Sequence, residues 1–269
     1  MNFRFVLIVM SLCFATFGGA LAQTKDRLDR RDKLLGFESV GRLESASGHC
    51  TAALITRDVA LTAAHCVHGK GEKFIFRAGY RDGSSIATRS SDSVVIAQGY
   101  IDAVQRGDRI AAVSNDVALV RLTSPIYDPG ANPYEIARSP NRGAKLTLAS
   151  YGQGRMEALT LERGCSLHTH YQGGVFGIDC DATFGSSGAP VFVQVAGRTR
   201  IFSIVSSGTN TKDGKPETLG VELTTLVPEL LRILRNKRAL APISTGARRI
   251  TVGTPTGGGA RFLKPPSGS

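Results

Sequence analysis

From Leu35 onward the apolar residues fall in short stretches, Ala52-Ala53-Leu54-Ile55, Val59-Ala60-Leu61, Phe74-Ile75-Phe76 and Val94-Val95-Ile96, separated by clusters of Gly, Asp and Ser. Runs this short, bounded by turn formers, predict an all-β sandwich or barrel. No long helical period precedes Val227, which supports the same reading. Residues 124–143 contain Pro125, Pro129, Pro133 and Pro140. Proline donates no ladder hydrogen bond, so this stretch is excluded from a central strand and reads as a connection. Strands resume at residues 145–150, 191–195 and 201–205. Residues 228–239 then predict a closing helix, with Pro228 in its first turn and Leu230, Leu231, Ile233 and Leu234 on or near one face.

The two ends have a different texture. Arg4, an apolar run from Phe5 to Phe17 and Ala20-Leu21-Ala22 form a secretory signal over residues 1–22, too short in its apolar run to span a bilayer. Residues 23–34 are rich in both signs of charge and predict a flexible lead-in or pro-segment. The net charge of +11 invites a nucleic-acid reading, but no acidic residue follows Glu229, and Arg232, Arg235, Lys237, Arg238, Arg248, Arg249, Arg261 and Lys264 all do. The basicity therefore belongs to the end of the chain. Residues 240–269 read as a basic disordered tail suited to anionic cell-surface contact, with no specific nucleic-acid partner.

Four cysteines remain once Cys13 leaves with the signal: Cys50, Cys66, Cys165 and Cys180. An even number in an exported, secreted or periplasmic chain predicts two disulfides. Of three pairings, Cys50–Cys66 and Cys165–Cys180 are favoured because each brackets a plausible hairpin, and the first ties the loop holding His65 to a neighbouring strand. The nearby His49, His65 and His68 match no compact zinc spacing, and His168 and His170 read as ordinary strand residues, so no metal is expected.

Three motifs carry the chemistry: Thr62-Ala63-Ala64-His65-Cys66, Asn115-Asp116-Val117-Ala118-Leu119-Val120 and Gly185-Ser186-Ser187-Gly188-Ala189-Pro190. A serine in a glycine-bounded turn, a histidine and an aspartate are what convert a weak hydroxyl into a nucleophile. Asp102 and Asp108 lie close to Asp116 in sequence but lack its following strand. The order His, Asp, Ser separates this chain from the subtilisin and α/β-hydrolase arrangements. The chain resembles the trypsin-like serine endopeptidases of chymotrypsin fold, and its Gly-Ser-Ser-Gly turn is similar in style to the bacterial glutamyl-endopeptidase-like branch.

That resemblance implies two six-stranded antiparallel Greek-key barrels, over about 35–123 and about 144–227, with a C-terminal helix. It implies Ser187 as nucleophile, His65 as base, Asp116 as its orienting partner, and the N–H groups of Gly185 and Ser187 as oxyanion donors. It places Ser206 against the triad aspartate and Ser206 to Gly208 along the substrate backbone. Asp181, six positions before Ser187, matches the pocket-floor carboxylate of trypsins, and Gly208 and Gly220 are expected to keep the pocket open, so cleavage after Arg or Lys is expected, with small or apolar residues the next alternative and acidic ones the last. Acid-specific relatives place a histidine where this chain has Val205 and a hydroxyl residue where it has Ala182, which leaves a substrate carboxylate without a cationic partner. Ser186 stands where trypsins have the aspartate that pairs with a newly released N-terminus, so activation by such an insertion is not expected. The partners implied are protein or peptide substrates of a monomeric enzyme without cofactor. A catalytically dead binding protein on the same fold would have lost a triad residue, and all three are present.

Overall fold

A computed structural model describes residues 24–71, 73–211 and 213–240, and the signal segment and nearly all of the tail lie outside them. Strands β2 (Val40–Ser45), β3 (Gly48–Thr56), β4 (Val59–Thr62), β5 (Ile75–Ala78), β6 (Ala87–Ile96) and β7 (Ala118–Leu122) close into an antiparallel barrel in the order β2-β3-β4-β7-β6-β5. Strands β8 (Lys145–Ser150), β9 (Thr160–Tyr171), β10 (Val175–Ile178), β11 (Pro190–Val195), β12 (Arg198–Asn210) and β13 (Pro216–Glu222) form a second, closed by the pairing of β8 with β9.

The near-continuous apolar runs follow from burial on two sides. Successive strand side chains point to opposite faces, and in β3 Ala52 and Leu54 fill barrel one while Ala53 faces the seam with barrel two. In β7, Ala118 and Val120 point inward and Leu119 joins the seam. The seam is completed by Tyr151, Phe192, Ile204 and Val221, and by Val227, Leu230 and Leu234 of the closing helix, Leu226–Leu240. Residues 124–143 cross between the barrels, with Tyr134 packed on Phe192 at a ring separation of 4.7 Å. Both disulfides take the expected pairing, Cys50–Cys66 and Cys165–Cys180.

Two features depart from the sequence reading. The lead-in is packed: strand β1 (Thr24–Arg27) pairs antiparallel with β9, with Thr24 opposite Arg163, and Leu28 and Leu34 are buried beyond it. Its Lys25, Asp26 and Arg27 can be charged because the pairing uses backbone groups and leaves these side chains at least partly exposed. Helices Gln98–Arg106 and Arg109–Ser114 also lie between β6 and β7. The first buries only Tyr100 and Ala103 and the second nothing, so neither writes a long apolar stripe. Asp108 caps the second helix, accepting from Ala111 N at 3.0 Å.

A chain beginning at Leu35 loses β1, Leu28 and Leu34. Burying a leucine stabilises by about 1.5–3 kcal/mol, so this truncation is expected to cost about 3–6 kcal/mol. In a domain of this size that lowers the melting temperature by roughly 10 °C relative to a chain beginning at Gln23. Equal melting temperatures in calorimetry would show that the strap contributes nothing.

Candidate active site

His65 lies in a 3-10 turn, Ala64–Cys66, directly after β4, and the Cys50–Cys66 bond ties that turn to β3. Asp116 enters between the Arg109–Ser114 helix and β7 and is 3% exposed. An ionised carboxylate is stable at that depth only when its lone pairs are filled. Asp116 Oδ1 accepts from the backbone N–H of His65 at 2.9 Å, and Oδ2 accepts from Ser206 Oγ at 2.6 Å and lies 2.7 Å from His65 Nδ1. A carboxylate only accepts, so the proton sits on Nδ1 and Nε2 is left as the basic nitrogen.

The Gly185–Pro190 turn is pressed against this segment. Gly188 has φ +75°, and a Cβ there would lie 2.5 Å from Thr51 O and 2.8 Å from Ala63 N, so only glycine fits. Within the turn, Ser186 N donates to Thr183 O, Gly188 N to Val205 O and Ala189 N to Ser186 O. The N–H groups of Gly185 and Ser187 make no hydrogen bond among the described residues. Ser187 Oγ likewise makes no hydrogen bond among the described residues. Ser187 opens onto a cavity of about 560 Å³ lined by Gln153, Thr183, Phe184 and residues 205–208. A larger cavity of about 720 Å³, near Ile110 and Leu226, contains no residue of the three motifs' His65, Asp116 and Ser187.

The specificity residues are placed less simply. Asp181 lines an adjoining cleft of about 340 Å³ with Thr209, Glu217 and Thr218, and the two cavities share Ala182 and Gly208. Its carboxylate is 52% exposed and faces Lys25 and, at 3.8 Å, Arg155 Nη1. The hydrogen bond from Lys25 holds Asp181 below its ordinary carboxylate value. Beneath it, Glu162 is buried and accepts from Asp181 N with both oxygens at 3.1 Å, and burial pushes its acid upward. Lys25 and Arg155 are thus both engaged with Asp181, and neither lines the two cavities. Gly208 is open, since a Cβ there would meet only Glu217 O at 3.9 Å. Gly220 does not line either cavity. Its place opposite Val205 points the missing Cβ at Ser203 and the Ile204 carbonyl, so its role is close strand packing.

His168 lies 3.2 Å from the Glu217 carboxylate, which also accepts from Tyr171 OH at 2.9 Å, and His170 packs edge-on against Phe176. Cys50, His65 and Cys66 come within ligand distance of one another, but both sulfurs are consumed by the disulfide. No helix among the described residues is long and apolar enough to cross a membrane.

Residues 50–199 match the trypsin-like peptidase domain family, more than half of the 269-residue chain. The chain belongs to this family of trypsin-like peptidases and is a serine endopeptidase. A Glu endopeptidase solved in complex with MPD is similar to it, with a TM-score of 0.64 at 16% identity over 78% of this chain and 96% of that one. A thermostable serine protease from an extremophilic microorganism gives 0.58 at 19% identity, covering 74% and 97%. The protease Anisep from Arthrobacter nicotinovorans gives 0.58 at 18%, covering 73% and 94%. No curated protein matches by sequence.

Proposed function

We propose that the chain cleaves peptide bonds through an acyl-enzyme formed on Ser187. As Ser187 Oγ bonds to the scissile carbonyl carbon, its proton passes to His65 Nε2, and Asp116 stabilises the resulting imidazolium. The carbonyl oxygen becomes an oxyanion received by the N–H groups of Gly185 and Ser187. Collapse breaks the C–N bond while His65 returns the proton to the leaving amine, and water then releases the acid by the same steps in reverse. The observation that carries this reading is a buried Asp116 that fixes Nε2 as the base of His65, beside a serine turn with two N–H donors left unbonded. Tetrahedral-intermediate mimics should therefore bind far better than their amide counterparts, and equal affinities would refute the oxyanion role.

For cleavage preference, Asp181 and the open Gly208 support Arg or Lys, with a long cationic side chain reaching past Gly208 and exchanging places with Lys25. Acidic preference is the second reading, favoured by Lys25 and Arg155 standing at the same carboxylate. Asp181→Ser and Lys25→Ala separate the two. On the first, Asp181→Ser lowers kcat/KM for Arg substrates by about 10- to 100-fold, the worth of a charged hydrogen bond, and spares apolar ones, while Lys25→Ala raises turnover of Arg substrates. On the second, Lys25→Ala weakens cleavage after Glu. Equal loss on all substrates in Asp181→Ser would mean that Asp181 only holds the turn.

Export through residues 1–22, a monomeric state and cell-surface contact through the tail complete the proposal. A chain ending at Leu240 should retain peptide hydrolysis and lose surface association, and retained association in sedimentation with cells would count against the tail.

A further inference from the structure

Thr51 is fully buried in the middle of β3, where a hydroxyl must be bonded or costly. Its Oγ1 donates to Gly185 O at 2.8 Å and accepts from Tyr151 N at 3.0 Å. Its backbone N donates to Ser187 O at 2.9 Å, and its carbonyl accepts from Thr62 Oγ1 at 2.9 Å. Every polar atom of Thr51 is used, two of them on the serine turn. On the other side of Gly185, the backbone N of Gln153 donates to Phe184 O at 2.7 Å.

A trans peptide is planar, with its C=O and N–H pointing opposite ways. Tying Phe184 O to Gln153 therefore turns the Gly185 N–H away from Gln153, and tying Gly185 O to Thr51 turns the next N–H, that of Ser186, toward Thr183 O at 2.9 Å. Gly185 has φ +88°, and a glycine has no Cβ to resist rotation of these peptides, so something outside the turn must hold them. Ser186 cannot do so through a charge. It is fully buried, and its Oγ accepts from Thr183 N at 3.3 Å.

We propose that Thr51 is a positioning residue for the oxyanion site: its hydroxyl, reaching across the seam from barrel one, fixes the Gly185–Ser186 peptide, while Gln153 holds the Phe184–Gly185 peptide, and the two together set the Gly185 backbone so that its N–H stays available to the substrate. Barrel docking then sets the turn, and no charged N-terminus is needed for it. The inference rests on the reading of Ser187 as nucleophile and Gly185 as donor.

The experiment compares Thr51→Val, Thr51→Ser and Thr51→Ala in the mature chain, using peptide substrates and a peptide boronic acid, whose tetrahedral adduct on a serine puts an oxygen where the oxyanion forms. Removal of one oxyanion donor costs about 100- to 1,000-fold in kcat, and loss of the group that fixes the peptide adjoining it is expected to cost about 10- to 100-fold. Thr51→Val should show that loss in kcat per titrated active site, little change in KM, and a parallel loss in boronate affinity. Thr51→Ser should keep most of kcat. A folded Thr51→Val with unchanged kcat overturns the proposal. If Thr51→Val does not fold, equal kcat per site in Thr51→Ser and Thr51→Ala overturns it instead. A purely structural role would lower the melting temperature and leave both kcat and the boronate affinity in place. Labelling of the wild-type chain by a sulfonyl fluoride is the control: failure to modify Ser187 removes the nucleophile on which the inference stands, and is distinguishable from a Thr51 without effect.

Discussion

Replacing Ser187 by alanine is expected to lower kcat by roughly a millionfold, the scale at which members of such a triad act as one unit. His65→Ala should cost about as much, and the double variant little more, because a nucleophile without a base and a base without a nucleophile are equally idle. The turn holds two adjacent serines, so the experiment must also say which one reacts. Ser186 is fully buried behind the turn, whereas Ser187 opens onto the cavity. A sulfonyl fluoride should therefore add its mass to Ser187 in peptide mapping. Adduct on Ser186, or unchanged turnover in Ser187→Ala, would sink the assignment.

Asp116→Asn is expected to lower kcat by about ten-thousandfold, the effect known from the chymotrypsin-type triad that serves as the general template. The reason lies in the donors around this carboxylate. Asp116 receives the His65 N–H, the Ser206 hydroxyl and the Nδ1 side of the imidazole. An amide has only one oxygen, so its NH2 group must face His65 Nδ1 or the other donors. Facing Nδ1 it forces the proton onto Nε2, and the base is lost while the fold survives. A circular dichroism spectrum like the wild type's with kcat reduced on all substrates alike would match this account. Full activity in Asp116→Asn would show that another group orients His65.

The three motifs were legible because each packs its chemistry into a few consecutive residues whose types are chemically restricted. The alternation of β3, β4 and β7 was legible too, since period-2 burial on both faces leaves an apolar run in the sequence. What could not be read was set by residues far apart in the chain. Lys25 meets Asp181 across 156 positions, and Thr51 meets Gly185 across 134. No local spacing marks either pair. Strand β1 was hidden for a different reason: Thr24-Lys25-Asp26-Arg27 has no apolar alternation, because it is held by backbone pairing to β9. The short helices between β6 and β7 bury too few side chains to stand out. Gly220 was misplaced because the sequence does not say to which side of a strand an absent side chain would have pointed.

Asp116 is also a fastener between the two halves of the molecule, since His65 approaches it from barrel one and Ser206 from barrel two. Synthesis delivers His65 and Asp116 well before Ser187 and Ser206 exist. On the proposed mechanism, a polypeptide caught with only its first half folded has a base and no nucleophile, and one with undocked halves has both but no shared carboxylate environment. On that mechanism, catalytic competence requires both barrels to be folded and docked on one another.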